Sequence, residues 1–138
     1  TKQSSRMVKL TPEMIEMIKS AKVIPFATAS ADGEPNVIPI GVLYVIDPET
    51  LWIGNQFFKA TERNLRENPR ACLYLWSPET KGCLKIKGNV TLINDGPDYD
   101  MKKRVKDAKN LVCNQLIVMK VTSAFDCKSG PKAGERLL

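Results

Sequence analysis

Apolar residues recur along this chain with two periods, and the change from one to the other marks its elements. Met14, Ile15, Met17 and Ile18 fall at helical spacing behind Thr11-Pro12-Glu13, which supplies an N-cap, a first-turn proline and a first-turn acid. A short amphipathic helix is therefore predicted to about Ala21. Strand-like segments follow at 23–30, 36–46, 51–54, 70–76, 83–93 and 116–125. Asp32-Gly33 and Asp47-Pro48 punctuate the first of these, and such turns join antiparallel neighbours. Gly88 predicts a break or bulge in the fifth strand. Two polar segments read as helices. Residues 61–68 begin at Thr61, a good N-cap, and stop before Pro69; residues 98–109 form a charged helix after Asp95-Gly96-Pro97.

Most of these strands follow one another directly. A parallel doubly wound sheet would need a helix after nearly every strand. The pattern predicts a mainly β fold with short helices, a small closed barrel of about six antiparallel strands, because closure removes sheet edges. Residues 1–10 read as a basic leader, 11–126 as the domain and 127–138 as a loop-like tail.

Composition narrows the chemistry. With 138 residues, 43% hydrophobic and 26% charged, the chain has the size and apolar content for one packed core and does not read as disordered. The longest uncharged apolar run, residues 37–46, is far short of the ~20 residues that span a bilayer. No segment has the basic start, apolar middle and small-residue cleavage site of a secretory signal, so no membrane partner and a cytoplasmic location are expected. There is no histidine. That removes Ser-His-Asp and Cys-His nucleophile systems, histidine metal ligands and histidine proton shuttles. Redox or acid–base chemistry would need a perturbed Lys, Cys, Asp or Glu, or a cofactor. The net charge is +6, but Lys2, Arg6 and Lys9 concentrate half of it in the leader. That distribution does not favour a nucleic-acid partner and suits a small phosphate ligand as well. Cys72, Cys83, Cys113 and Cys127 include no C-x-x-C pair, so free thiols and no metal site are expected.

The most informative stretch runs from Gly54, Asn55, Gln56 and Phe57 through Phe58, Lys59 and Ala60 to Thr61. A strand ends, a polar and aromatic turn follows, and a helix begins. Helix starts present unpaired N–H groups and partial positive charge, so Lys59 and the Thr61 hydroxyl complete a site suited to a phosphate monoester. The same stretch also reads as a plain N-cap with a solvated lysine. Pro39, Ile40 and Gly41 interrupt the second strand. They mark either a place where a flat ligand approaches the backbone or a bulge that bends a barrel strand. Lys85 and Lys87 share one face of the fifth strand, either as solvated charges or as further phosphate contacts. Trp52, Trp76, Phe57 and Phe58 are candidates for stacking on a ring, though aromatics in strands are usually core.

Taken in order, Val23 to Ser30 with Asp32-Gly33, then Pro35-Asn36-Val37-Ile38-Pro39-Ile40-Gly41, Leu51-Trp52-Ile53-Gly54-Asn55, Lys59-Ala60-Thr61-Glu62-Arg63-Asn64-Leu65-Arg66-Glu67-Asn68-Pro69-Arg70, Ile86-Lys87-Gly88 and Gly96-Pro97 resemble the split-barrel flavoproteins related to pyridoxamine 5′-phosphate oxidase. The likeness spans residues 11–126 and is nearest to the short FMN-binding proteins. It implies a six-stranded split β-barrel, a homodimer, and FMN at the subunit interface. It implies that Lys59-Ala60-Thr61 is the phosphate turn, which usually reads Lys-Thr; here Ala60 stands at the usual lysine position and Lys59 lies one residue earlier. Pro39, Ile40 and Gly41 match the strand beside the isoalloxazine ring. Gly54, Asn55, Gln56 and Phe57 match the turn whose backbone amides face the ring and the ribityl chain. Leu111 stands where some relatives place an aromatic over the partner's flavin. Activity is implied as FMN-dependent oxidoreduction or electron transfer, with the electron donor and acceptor undefined. A deazaflavin-dependent reductase of the same fold, or a non-catalytic module using the basic leader, is the alternative. The substrate-binding C-terminal motif of the oxidases themselves is missing from the ending Gly134-Glu135-Arg136-Leu137-Leu138.

Overall fold

A computed structural model describes residues 8–78, 82–94 and 115–138. The elements run α1 (Pro12–Ser20), β1 (Ile24–Ala29), β2 (Pro35–Ile40), β3 (Leu43–Asp47), β4 (Thr50–Asn55), α2 (Ala60–Glu67), β5 (Arg70–Ser77), β6 (Gly82–Ile93) and β7 (Gln115–Asp126). The expected helix at 98–109 and Leu111 lie outside the described residues.

Helix α1 begins as its sequence dictates. The Thr11 hydroxyl accepts from the Met14 amide at 3.3 Å, Pro12 follows at the first position, and Met14 and Ile18 are buried.

All seven strands pair antiparallel in one sheet, in the order β2-β1-β5-β6-β7-β4-β3. The sequence reading of six strands is corrected here, because its second strand is two. Residues 35–40 pair with β1, while residues 43–47 pair with β4 at the far end of the sheet. Only Gly41 and Val42 separate them, so these two sheet ends approach within about 11 Å at that corner, three fully extended residues. The sheet must therefore be rolled into a barrel.

Alternation fills the interior. On β5, Ala71, Leu73, Leu75 and Ser77 are buried, while Arg70, Cys72, Tyr74 and Trp76 face outward. Phe26, Leu51, Ile53, Leu73, Ile86, Ile117 and Met119 make the fully buried centre. Strand β4 is buried on both faces, since Trp52 packs outside the barrel with Val42 and Leu116. Trp52 is thus core, whereas Trp76 is 59% exposed.

The expected irregularity at Gly88 is present, with the extra residue on the other strand. Lys87 pairs with Ser123 and Gly88 with Val121, leaving Thr122 unpaired. A Cβ on Gly88 would drive into the Lys120 carbonyl oxygen and the Met119 side chain. Among the described residues, no helix is long and apolar enough to cross a membrane.

Candidate functional site

The corner that closes the barrel also opens a cavity of about 390 Å³. Its walls are residues 38–42, Gly54 at the end of β4, and residues 56–61 leading into α2. Pro39, Ile40, Gly41, Gly54, Gln56, Phe57, Lys59, Ala60 and Thr61 therefore share one concave surface although they come from β2, β4, α2 and the connections beside them. Phe58, a ring-stacking candidate from the sequence, joins them, as do Ile38 and Val42, which flank Pro39–Gly41.

The turn after β4 is held by Asn55, whose side chain is 5% exposed. Its Oδ1 accepts from the Phe58 amide at 2.9 Å, and its Nδ2 donates to Gln115 Oε1 at 2.9 Å. Asn55 thus does not line the cavity; it fixes the turn that does. Phe58 packs inward and stacks on Phe26 with centroids 6.3 Å apart. Phe57 points the other way and is 84% exposed at the cavity rim.

The start of α2 differs from the sequence reading. Lys59, not Thr61, is the N-cap, and no side chain caps it. Thr61 is the second helical residue and is 1% exposed. Its hydroxyl accepts from Asn36 Nδ2 at 2.9 Å, which ties the helix to β2. Asn36 also donates to Thr28 at 3.3 Å, and Asn64 donates to Thr28 at 3.1 Å. A buried polar network thus clamps α2 onto the β1–β2 hairpin. Asn36 was missed from the sequence because a polar residue in an edge strand ordinarily faces solvent.

Electrostatically, the helix start favours an anion. Glu62 in the first turn works against this. Its carboxylate, however, is engaged by Arg66 at 2.8 Å and by Gln115 Nε2 at 3.1 Å. The expectation that amides at 54–57 serve a ring is corrected in part: the Gly54 amide already donates to the Val42 carbonyl at 3.2 Å. Gly41 leaves room, because a Cβ built there meets nothing within 4 Å.

Lys85 is not at this cavity. Its ammonium lies 5.1 Å from the Phe125 ring centroid, with Lys87 at 5.2 Å from the same ring. A second cavity, about 530 Å³, opens elsewhere beside Asn68, Arg70, Lys87, Gly88 and Asn89, and holds none of the other expected site residues. Among the described residues no cluster of acidic and thiol side chains suits a metal ion.

The family model described as "Pyridoxamine 5'-phosphate oxidase" matches residues 10–126. An uncharacterised protein of Methanocaldococcus jannaschii is 31% identical over 137 residues, covering 94% of this chain and 88% of its own. The crystal structure of HupZ from Group A Streptococcus superposes with a TM-score of 0.78 at 22% identity, over 91% of this chain and 99% of that one. An FMN-binding protein from Syntrophomonas wolfei gives 0.68 at 18% identity, over 82% and 85%.

Proposed function

This chain belongs to the pyridoxamine 5′-phosphate oxidase family, and on that premise we propose that it is an FMN-binding flavoprotein acting as an oxidoreductase or electron carrier, with the flavin at the interface of a homodimer. One observation carries the reading. The uncapped start of α2 and the open space over Gly41 belong to the same cavity, so a phosphate and a flat ring can be received together. The FMN-binding structural neighbour is in keeping with this.

Bound FMN would accept and release one or two electrons. The chain's own part is binding and orientation. The backbone amides at Ala60 and Thr61 and the Lys59 ammonium would take the phosphate. The Thr61 hydroxyl, which accepts from Asn36, keeps its own proton to donate. Pro39, Ile40 and Gly41 would lie along the ring. Without histidine, the protein places no neutral-pH proton shuttle of that kind beside it. Phe57, an apolar ring exposed at the rim, is suited to cover by a second copy.

The test is titration of the purified chain with FMN, riboflavin and a phosphate-bearing deazaflavin, followed by fluorescence, with sedimentation to count subunits. FMN is expected to bind, and riboflavin to bind about tenfold or more weakly, since charge-assisted hydrogen bonds contribute roughly 1.5–3 kcal/mol. Failure to bind FMN overturns the proposal. A preference for the deazaflavin overturns the FMN assignment alone, and a monomeric FMN complex overturns the interface.

A further inference from the structure

Two cysteines 44 positions apart meet at the edge of the barrel. The β6–β7 register pairs Leu84 with Asp126. One step further places Cys83 opposite Cys127, and the Cys127 amide donates to the Cys83 carbonyl at 3.2 Å. Residues directly opposite on antiparallel strands have Cα atoms roughly 4.5–5.5 Å apart, inside the span a disulfide requires. Their sulfurs are 3.1 Å apart and both side chains are half-buried. We propose that Cys83 and Cys127 are a redox pair that a small-molecule disulfide converts into an intramolecular bond, fixing the point where the C-terminal tail leaves the barrel.

The surroundings fit this role. Cys127 is the first residue after β7, and the tail then turns back along the same strand. The Asp126 amide donates to the Glu135 carbonyl at 2.8 Å and the Leu137 amide to the Ala124 carbonyl at 2.8 Å. Cys83 lines a cavity of about 480 Å³, bounded also by Met14, Met17, Asp126 and Leu138, through which a small reagent can reach it. Tyr74 holds the Cys83 thiol in place at 3.2 Å. Burial, with the Cys83 contact, pushes the Cys127 thiol up to about 12. Cys83 lines the cavity by which the reagent arrives and Cys127 does not, so Cys83 begins the exchange and Cys127 completes it. The Cys83 thiolate attacks one sulfur of the small disulfide and expels one thiol. Cys127 then gives up its proton and attacks Cys83 sulfur, expelling the second thiol. Two electrons pass from the protein pair to the small disulfide, which leaves as two thiols.

The experiment incubates the reduced full-length chain with oxidised glutathione and reads intact mass, a non-reducing peptide map and the rate of tail proteolysis. The expected product is lighter by two hydrogens, carries no glutathione, and joins the Cys83 and Cys127 peptides within one chain. Dithiothreitol should reverse it, and cleavage in residues 127–138 should slow several-fold. Cys127→Ser should trap glutathione on Cys83, while Cys72→Ser should behave as the parent. A stable glutathione adduct on the unmodified sequence overturns the proposal, as does a bond to Cys72 or Cys113, or one formed only between chains. Unchanged tail cleavage overturns the locking role. The parent chain alone decides the matter, so a variant that fails to fold does not blunt the test.

Discussion

The Asn36 amide and the Thr61 hydroxyl, 25 residues apart, form a 2.9 Å hydrogen bond that joins β2 to the first turn of α2. The bond sets the position of the helix start against the barrel corner, and thereby the mouth of the cavity. Thr61→Val keeps the shape and removes the acceptor, leaving the half-buried Asn36 amide with one weaker partner at Thr28. The expected loss is about 1–2 kcal/mol in urea unfolding, with FMN affinity down roughly tenfold. An unaltered affinity would separate Thr61 from the cofactor.

Lys59 is exposed, so its charge is largely screened by water. Lys59→Ala is expected to weaken FMN only a few-fold, to lessen the salt dependence of binding, and to leave riboflavin affinity unchanged. An equal loss for both ligands would show that Lys59 does not meet the phosphate.

Gly41 and Gly88 make opposite predictions. Gly41→Leu projects a side chain into open space, so stability should stay within about 0.5 kcal/mol while FMN binding is lost. Gly88→Ala meets backbone that cannot yield, and should cost roughly 1–3 kcal/mol or more in chemical denaturation. A fully stable Gly88→Ala chain would contradict the register of β6 on β7.

The Cys127 thiol binds its proton more tightly in the folded chain than in the unfolded one, 9.0 rising to about 12. The stabilisation is therefore complete below pH 9 and lost as pH rises from there toward about 12. Tyr74 moves the same way, from 10.0 to about 12, chiefly through its hydrogen bond with Cys83. Urea midpoints of the reduced chain should fall across this alkaline window, and the fall should be smaller in Cys127→Ala. A flat profile up to pH 11 would count against the thiol contact.

Much of the fold was legible along the chain. The Thr11-Pro12 start, the Asp32-Gly33 turn and the alternation on β5 and β6 rest on interactions within a few residues, which local sequence states directly. The family model over residues 10–126 bears out the resemblance. The break inside the second strand was visible at Pro39-Ile40-Gly41, but its outcome was not. Glycine and proline announce that a ladder stops, without saying which strand comes next. The helix start was displaced for a similar reason: Thr61 is a good N-cap by type, yet its hydroxyl is taken by Asn36 from another element.

By itself the sequence determined the periods, the turns and the absence of histidine, and with them a mainly β fold in which redox or acid–base chemistry would need a perturbed side chain or a cofactor. Tertiary structure alone decided that β2 and β3 lie at opposite ends of the sheet, that Lys85 sits over Phe125 away from the cavity, and that Cys83 touches Cys127. The physical reason is register. A strand's own pattern says which residues face inward, but only the rolled sheet, with its extra residue at Thr122, says which distant residues stand opposite one another.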